Sequence, residues 1–430
     1  MSIRGVKAIR VAMVVMTASL SYGRGVALAQ SDPDDCGNYH LNGTVLECSA
    51  TGSVRDQLRT GTFIAGSVAT GQTLAQAIAL EVGTAPLGSS SGGFTFTFEP
   101  KLVTFIRTSP TFGPAFSERI LTLGKGKLNA GFNFLDRRYD RLDGLDLKGF
   151  DVFRFRGGSL PIQRSTLELE TTTDTVAAFA HYGLLDNLDI GVMVPWVHIS
   201  VSGSSRAFGE AGDELQRVLL DSSHSGVGDI AVLGKYRFWQ FGPPPAVGAA
   251  ANGGLAAGIA VRLPTGDENA LVGLGLTRTL VSLIGSANLG RFSPHVNVGY
   301  EFWSKDVSIE RTFRANSDTL SVGDQFQYAA GFEFAVHDRL TLIEDVVGRY
   351  LRGGGRLGYQ PFAFPGNVAN VRGAEALVAM ADGVNTVILA PGAKWNFYSN
   401  VLLSGTVLIA MTREGLQDLV TPVIGMEWSF

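Results

Sequence analysis

The chain has 430 residues, including 54 glycines and 26 phenylalanines, with 17 % charged residues and a formal net charge of −4. This low charge, together with a positive mean hydropathy of +0.17, excludes a disordered chain. The negative net charge and the lack of any Lys/Arg run exclude a polybasic nucleic-acid binder, so no nucleic-acid partner is expected.

The N-terminal segment predicts a secretory signal peptide. Basic residues in the first ten positions precede an apolar run at 11–20 (VAMVVMTASL) and a small-residue cleavage site at 27–29 (ALA). The apolar run is too short to span a bilayer as a helix. We therefore predict that residues 1–29 are removed and that the protein is exported. No later run of 18 apolar residues exists, so no helical span is expected.

Cys36 and Cys48 are the only cysteines, and both lie near the start of the mature chain. In an oxidising compartment such a pair predicts a disulfide, here closing a small loop that turns at Asn42-Gly43. A metal site formed by the two cysteines and His40 is the alternative. We expect the disulfide, no metal and no cofactor.

Residues 30–126 form a separate N-terminal region without a barrel pattern. The run 73–82 (TLAQAIALEV) has helical composition with a threonine cap, and 88–93 (GSSSGG) has the composition of a linker. Three interpretations stay open: a periplasmic arm, a plug that enters a barrel, and a pair of extra strands at 94–99 and 102–108.

From residue 127 to residue 430 the chain alternates with a period of two. In 420–430, for example, Val420, Ile424 and Trp428 share one face, while Thr421 and Glu427 lie on the other. Most segments have 11 to 16 residues, longer than ordinary strands and long enough for a tilted membrane crossing. The twelve predicted strands are 127–137, 165–182, 187–202, 226–239, 254–264, 274–287, 292–303, 323–336, 339–351, 384–398, 401–413 and 418–430.

The connections between these strands alternate between short and long. Tight turns such as 183–187 and 399–400 follow the even-numbered strands, with 240–253 as the exception, whereas long polar loops such as 138–164 and 352–383 follow most of the odd-numbered ones. This asymmetry is typical of outer-membrane barrels, and a soluble sandwich has no reason to show it. Because lipid cannot satisfy backbone groups, the sheet must close on itself. We predict an all-β, antiparallel up-and-down transmembrane barrel of 12 strands, or 14 with the two extra strands, in the outer membrane of a Gram-negative bacterium.

Six short motifs follow one another along the barrel region. They are 182–188 (YGLLDNL), 194–196 (VPW), 225–230 (SGVGDI), 235–238 (KYRF), 263–266 (LPTG) and 296–300 (VNVGY). In this order they resemble the outer-membrane family of the MetA pathway of phenol degradation, described as transporters. The resemblance implies a channel for small hydrophobic or aromatic compounds. The C-terminal Phe430 resembles the signal read by the barrel-assembly machinery.

The polar face of the strands supplies the candidate lumen and selectivity residues. Opposite charges there either cross-link and fill a narrow bore or form a polar track that sets selectivity. In the second case Arg237 and Arg262 would face Glu168 and Glu170 across the bore. The set is Glu168, Glu170, Asp174, Asp229, Lys235, Arg237, Arg262, Arg278, Glu301, Glu333, Arg349, Lys394 and Glu427.

Two positions disturb the strand pattern. Pro195 removes a backbone donor inside a strand, which predicts a bulge or kink. Glu344 falls on the lipid-facing phase, where a charge is costly, so either a bulge turns Glu344 and Asp345 inward or the phase is wrong.

The function predicted from the sequence is passive uptake of small hydrophobic solutes, with outer-membrane lipid and the assembly machinery as partners. A surface adhesin or structural barrel is one alternative. A lipid-modifying enzyme with a Ser–His pair on the outer wall is another, but His198 and Ser200 at i, i+2 are weak support. We therefore expect no enzymatic activity.

Overall fold

In the computed structural model the barrel region forms a closed antiparallel sheet of 12 strands, as predicted. The structure describes Cys36 and residues 40–65, 68–99, 104–107, 109–155, 162–209, 212–242, 252–313, 316–353, 356–361 and 375–430. The predicted signal peptide lies outside the described residues. Among those residues, no helix has the length and apolarity needed to cross a membrane.

The N-terminal region contains two helices and four short strands, and twenty further strands follow. The N-terminal elements are β1 (His40–Asn42), β2 (Val45–Ser49), α1 (Val54–Ala65), α2 (Val68–Thr84), β3 (Phe96–Glu99) and β4 (Thr104–Arg107). The later strands are β5 (Leu128–Tyr139), β6 (Arg141–Leu142), β7 (Leu145–Asp146), β8 (Phe150–Phe155), β9 (Ile162–Leu185), β10 (Leu188–Phe208), β11 (Glu214–Val227), β12 (Ala231–Phe241), β13 (Gly253–Arg262), β14 (Arg278–Ala287), β15 (Phe292–Trp303), β16 (Val307–Phe313), β17 (Asn316–His337), β18 (Leu340–Arg352), β19 (Arg356–Pro361), β20 (Glu375–Met380), β21 (Val384–Tyr398), β22 (Val401–Ala410), β23 (Leu416–Gln417) and β24 (Val420–Ser429).

The barrel wall closes between its first and last strands. Its members, in order around the barrel, are β5, β9, β10, β12, β13, β14, β15, β17, β18, β21, β22 and β24, and β24 pairs with β5. Leu128 and Phe430 exchange backbone hydrogen bonds of 3.1 and 2.7 Å at the seam. We call this end of the barrel, with its short turns, the turn end, and the opposite end the loop end.

Strand β12 illustrates how the wall separates its two faces. Val232 and Tyr236 point outward with 50 % and 47 % exposure, whereas Ala231 and Lys235 point inward and are buried. The same alternation in the neighbouring strands produces an outer apolar band that suits lipid and an inner face of polar and small residues.

Strands β9 and β10 continue far beyond the apolar band at the loop end. They have 24 and 21 residues, about twice what a tilted membrane crossing needs. Together with β8 and β11, their loop-end halves form what we call the extension. The inner face of the extension is apolar, with Leu167, Leu169 and Ile199 buried, and its outer face is polar.

Helix α1 packs against the inner face of the extension, and α2 packs against α1 and against the loop-end strand β16. Leu58 of α1 and Ile78 of α2 are fully buried in one cluster with Ile199 and Leu220. A reciprocal capping box begins α1, because the Ser53 hydroxyl accepts from the Asp56 N–H while the Asp56 carboxylate accepts from the Ser53 N–H. The predicted helix 73–82 lies within α2, which begins earlier than the predicted threonine cap.

The hairpin β1–β2 attaches to the edge of the extension. It turns at Gly43, whose φ of 67° suits glycine, and β2 pairs in parallel with β11. Cys36 and Cys48 form the predicted disulfide and are buried there. His40 instead lies 3.4 Å from Glu47. Within the described ranges, no cluster of His, Cys, Asp or Glu could hold a metal ion.

Three expectations about the wall require correction. Strands β3 and β4 pair with each other and not with the wall, so the count of fourteen is wrong. At Pro195 the pairing of β10 with β9 shows no register shift, so the predicted bulge is absent. On its other edge, β10 changes partner there from β12 to β11. No bulge occurs at Glu344 either, so Glu344 faces outward and Asp345 inward by simple alternation.

Candidate functional site

The stretches 85–95 and 109–127, between α2 and β5, lie inside the barrel, beginning near the loop end and ending at the turn end. Near the loop end, Arg278 donates to the carbonyl of Gly83 at 2.7 Å. Closer to the turn end, Lys235 donates to the Ser91 hydroxyl at 2.9 Å. At the turn end, Gly126 donates to the carbonyl of Gly183 at 2.7 Å. A Cβ atom at Gly183 would lie 1.9 Å from the Gly124 oxygen, so only glycine permits this approach. We call residues 85–95 and 109–127 the luminal segment.

A buried carboxylate cluster on the wall holds the middle of the luminal segment. Asp345 accepts hydrogen bonds from the backbone N–H groups of Ala115 and Phe116, both at 2.9 Å, and from the Ser117 hydroxyl at 2.6 Å. It also lies 2.7 Å from Nε2 of His295. Because buried carboxylates need several donors, these contacts fix the luminal segment in one position.

Glu333 provides a second anchor next to this cluster. Its carboxylate accepts from the backbone N–H of Gly113 at 3.0 Å and from Arg119 at 3.3 Å. Nδ1 of His295 lies 3.8 Å from the same carboxylate. The side chains of Glu333 and His295 are fully buried, and Arg119 of the luminal segment supplies the cationic partner of the Glu333 carboxylate.

A cavity of about 190 Å³ lies between the luminal segment and the wall. Small inward residues on β13, β15 and β17, namely Gly258, Ala260, Gly299 and Ala329, leave room for it. Its remaining lining is largely apolar, and includes Phe116, Met193, Leu233, Leu280, Ile284 and Ile388.

The charged groups around the cavity are paired. Lys235 lies 3.6 Å from Glu118, and Arg262 lies 2.6 Å from Glu301. Arg349 pairs with Glu81 at the end of α2. No unpaired charge of the lining residues is therefore left to bind an ionic ligand, and the cavity suits an uncharged molecule.

A buried ion network separates the cavity from the loop end. Arg278 lies 3.4 Å from Asp229 and 3.6 Å from Glu301. Glu301 also accepts from Gln325 at 2.8 Å and from the Trp303 indole at 3.1 Å. Each buried charge thus has an opposite charge and further hydrogen bonds, as burial requires.

Most of the predicted lumen residues face the interior. They are Asp229, Lys235, Arg237, Arg262, Arg278, Glu301, Glu333, Arg349, Lys394 and Glu427. Lys394 lies 3.1 Å from Glu427, which also accepts from the backbone N–H of Gly93 at 3.1 Å. Arg237 lies at the turn end, where it donates to the carbonyl of Asp186 at 2.9 Å. The role of these ten inward residues in selectivity stays a prediction.

Glu168, Glu170 and Asp174 do not line the lumen. They lie on the outer face of the extension, and Glu168 pairs with Arg206 rather than with Arg237 or Arg262. The physical reason is that the wall there lies beyond the apolar band, so its outer face meets water. Polarity therefore no longer marks the lumen side.

The prediction missed the partners supplied by the N-terminal region. Glu81, Glu118 and Arg119 pair with Arg349, Lys235 and Glu333, each of which lies more than 100 positions later in the chain. It also missed His295, which faces Asp345 and Glu333. For His295, the sequence offered one signal, its inward position in the strand alternation. For Glu81, Glu118 and Arg119 it offered none, because no motif or spacing in the sequence links the luminal segment to the wall.

Comparison with known proteins supports the resemblance drawn from the short motifs. Residues 150–353, just under half of the chain, match the family described as "Putative MetA-pathway of phenol degradation". The resemblance is therefore confirmed over that range. No curated protein matches the sequence.

Several solved barrels are similar to this chain at low sequence identity. A crystal structure of an outer membrane channel from Pseudomonas putida F1 has 13 % identity and a TM-score of 0.44, covering 72 % of this chain and 98 % of that one. The Ralstonia pickettii toluene transporter TbuX has 12 % identity and a TM-score of 0.29, covering 71 % and 90 %. The translocator domain of the Neisseria meningitidis autotransporter NalP has 12 % identity and a TM-score of 0.34, covering 71 % and 89 %.

Proposed function

We propose that this chain is an outer-membrane channel that admits small, uncharged hydrophobic or aromatic molecules down their gradient. The observation that carries the proposal is the apolar cavity inside the barrel, whose surrounding charges are all paired. The matched family, with its description in phenol degradation, supports a compound of this kind. The apolar outer band supports contact with membrane lipid.

The N-terminal region is proposed to act as a removable plug with a cap. In this proposal the loop end is extracellular, α1 and α2 close the outer mouth, and the luminal segment occupies the bore. Export by the predicted signal peptide and insertion by the assembly machinery through Phe430 belong to the same proposal. Solutes would reach the cavity only when the cap or the luminal segment moves.

A pair of substitutions on opposite faces of β13 tests the cavity. Ala260→Phe would fill it, because Ala260 points inward and lines it, whereas Ala257→Phe would point outward into lipid. We expect cells expressing the Ala260→Phe variant to take up labelled toluene no faster than cells without the protein, and Ala257→Phe to behave as wild type. Intact cells are needed because toluene crosses simple liposomes unaided. Equal uptake by both variants and wild type would refute the proposed path.

A further inference from the structure

The outer face of the extension carries a row of three side chains across adjacent strands. His198 of β10 lies opposite Asp174 of β9 on one side and opposite Ser225 of β11 on the other. Nδ1 of His198 is 2.7 Å from the Ser225 hydroxyl. A hydroxyl, an imidazole and a carboxylate in this order are the groups that nucleophilic acyl transfer uses. The luminal path described above uses none of them.

The row lies at the level where the apolar band ends. The next outward residues towards the turn end are Val176 and Trp196, which are 39 % and 52 % exposed and belong to the band. The next ones towards the loop end are polar, with Thr172, Ser200 and Ser223 in register. The row therefore faces the boundary between acyl chains and head groups, where aromatic side chains such as Trp196 are commonly found.

Strand pairing also supplies a hydrogen-bond donor at Ser225. The backbone N–H of Gly228 donates to the carbonyl of Pro195 at 2.8 Å, so these two residues form a hydrogen-bonded pair between β11 and β10. In an antiparallel ladder such pairs alternate with non-hydrogen-bonded pairs. His198 and Ser225, three positions further along, therefore form a non-hydrogen-bonded pair. The Ser225 N–H consequently points away from β10. Asp221, in the same phase, donates in that direction to Gln57.

That edge of β11 carries no strand near Ser225 in the part of the chain that the structure describes. Strand β2 covers β11 only at residues 216–219. No described residue accepts a hydrogen bond from the Ser225 N–H, so it is available to a developing oxyanion beside the hydroxyl.

We propose that Ser225 and His198 form a hydrolytic site for the ester bonds of acyl lipids in the outer leaflet. The Ser225 oxygen attacks the ester carbonyl carbon, and its proton passes to Nδ1 of His198. Collapse of the intermediate breaks the bond to the alcohol, which leaves with that proton. Water then attacks the acyl-serine, with His198 again taking the proton, and releases the fatty acid and the free hydroxyl. Asp174 is a positioning residue that stabilises the imidazolium. The proposal runs against the expectation of no enzymatic activity.

Covalent labelling of the full-length protein in detergent micelles tests the nucleophile. A fluorophosphonate probe should label wild type at Ser225, detected by peptide mass, and should not label Ser225→Ala. Ser223→Ala is the matched control, since Ser223 lies on the same face of β11 but opposite Ser200. Heat-dependent gel mobility checks that each variant folds. A folded wild type that stays unlabelled, or equal labelling of Ser225→Ala, would overturn the proposal.

Hydrolysis measurements test the other two residues and the substrate class. Fatty-acid release from micelles of dioctanoyl phosphatidylcholine should fall by about 100-fold or more in His198→Gln, the contribution expected of a general base. Asp174→Asn should shift the acidic limb of the pH–rate profile to lower pH, while Glu170→Gln leaves the profile unchanged. Labelling without release of fatty acid would contradict the lipid substrate, and an unchanged profile in Asp174→Asn would contradict its positioning role.

Discussion

The membrane half of the wall and the extension are built from the same strands but have opposite polarity. In the membrane half, lipid faces the outer side, so Val192 and Trp196 of β10 point outward. In the extension, water faces the outer side and helices face the inner side, so Ser202 points outward and Ile199 inward. The side-chain alternation of β10 continues without interruption between them. The environment on each side, rather than the strand itself, therefore decides which face is apolar.

The largest effect on the stability of the whole barrel should come from a charge on the outer face of the membrane half, whereas the same change in the extension should have little effect. Val192→Arg puts a guanidinium into the middle of the apolar band and should lower the free energy of unfolding by about 2–4 kcal/mol. Ser202→Arg, on the same face of the same strand, should change it by less than about 0.5 kcal/mol. Denaturant titration of the protein folded into lipid vesicles measures both. Equal losses would mean that the extension also lies in lipid.

The contrast explains how much of the fold was predictable. Strand positions, closure and the inward phase of Lys235 and Glu301 followed from alternation, because one face of the membrane half meets only lipid. The prediction for Glu168 and Glu170 is wrong because polarity alone does not mark the lumen: β9 passes both residues in the extension before it enters the membrane. The hydrogen bond from the Ala115 N–H to Asp345 could not be predicted from any local sequence pattern, since it joins residues 230 positions apart in the chain.

Truncation of a buried helix residue tests the inner face of the extension. Leu58 of α1 is fully buried, and Leu58→Ala should cost about 2–5 kcal/mol of local stability because it leaves a cavity against β11. Residues 36–84 should then be cut by protease well before the barrel. Leu41→Ala is the control, because Leu41 is 74 % exposed. Protection equal to wild type in Leu58→Ala would show that the helices do not depend on this contact.

Adjacent acidic residues on β18 test the inner face of the membrane half. Asp345→Ala removes the acceptor for the Ala115 and Phe116 N–H groups, so the luminal segment should loosen and single-channel conductance should rise. Glu344→Ala, one residue away on the lipid face, should leave conductance unchanged. Planar-bilayer recording compares the two. A rise in both variants would point to damage of the wall instead of release of the luminal segment.

Two arginine–glutamate pairs on opposite faces allow a smaller test. Arg262→Ala leaves Glu301 with one cationic partner fewer inside the barrel, so cation preference should increase. Arg206→Ala removes the partner of Glu168 on the outer face of the extension and should not alter the reversal potential. An unchanged reversal potential in Arg262→Ala would favour a lumen whose charges only fill space.

Asp143, between β6 and β7 at the loop end, provides the smallest expected effect. Its carboxylate accepts from the backbone N–H groups of Leu357 and Gly415 at 2.6 and 2.7 Å, and burial raises the pKa of Asp143 above its ordinary value. A raised pKa in the folded state means that protonation favours the folded loops, so their stability should increase as the pH falls and decrease as the pH rises through that pKa. Hydrogen exchange at Gly415, corrected for the intrinsic rate, should therefore show more protection at about pH 3.5, below the ordinary pKa of Asp, than at pH 7. Asp143→Asn should abolish this difference, while Asp146→Asn, at an exposed position, should preserve it. A difference that persists in Asp143→Asn would assign the pH dependence to another group at the loop end.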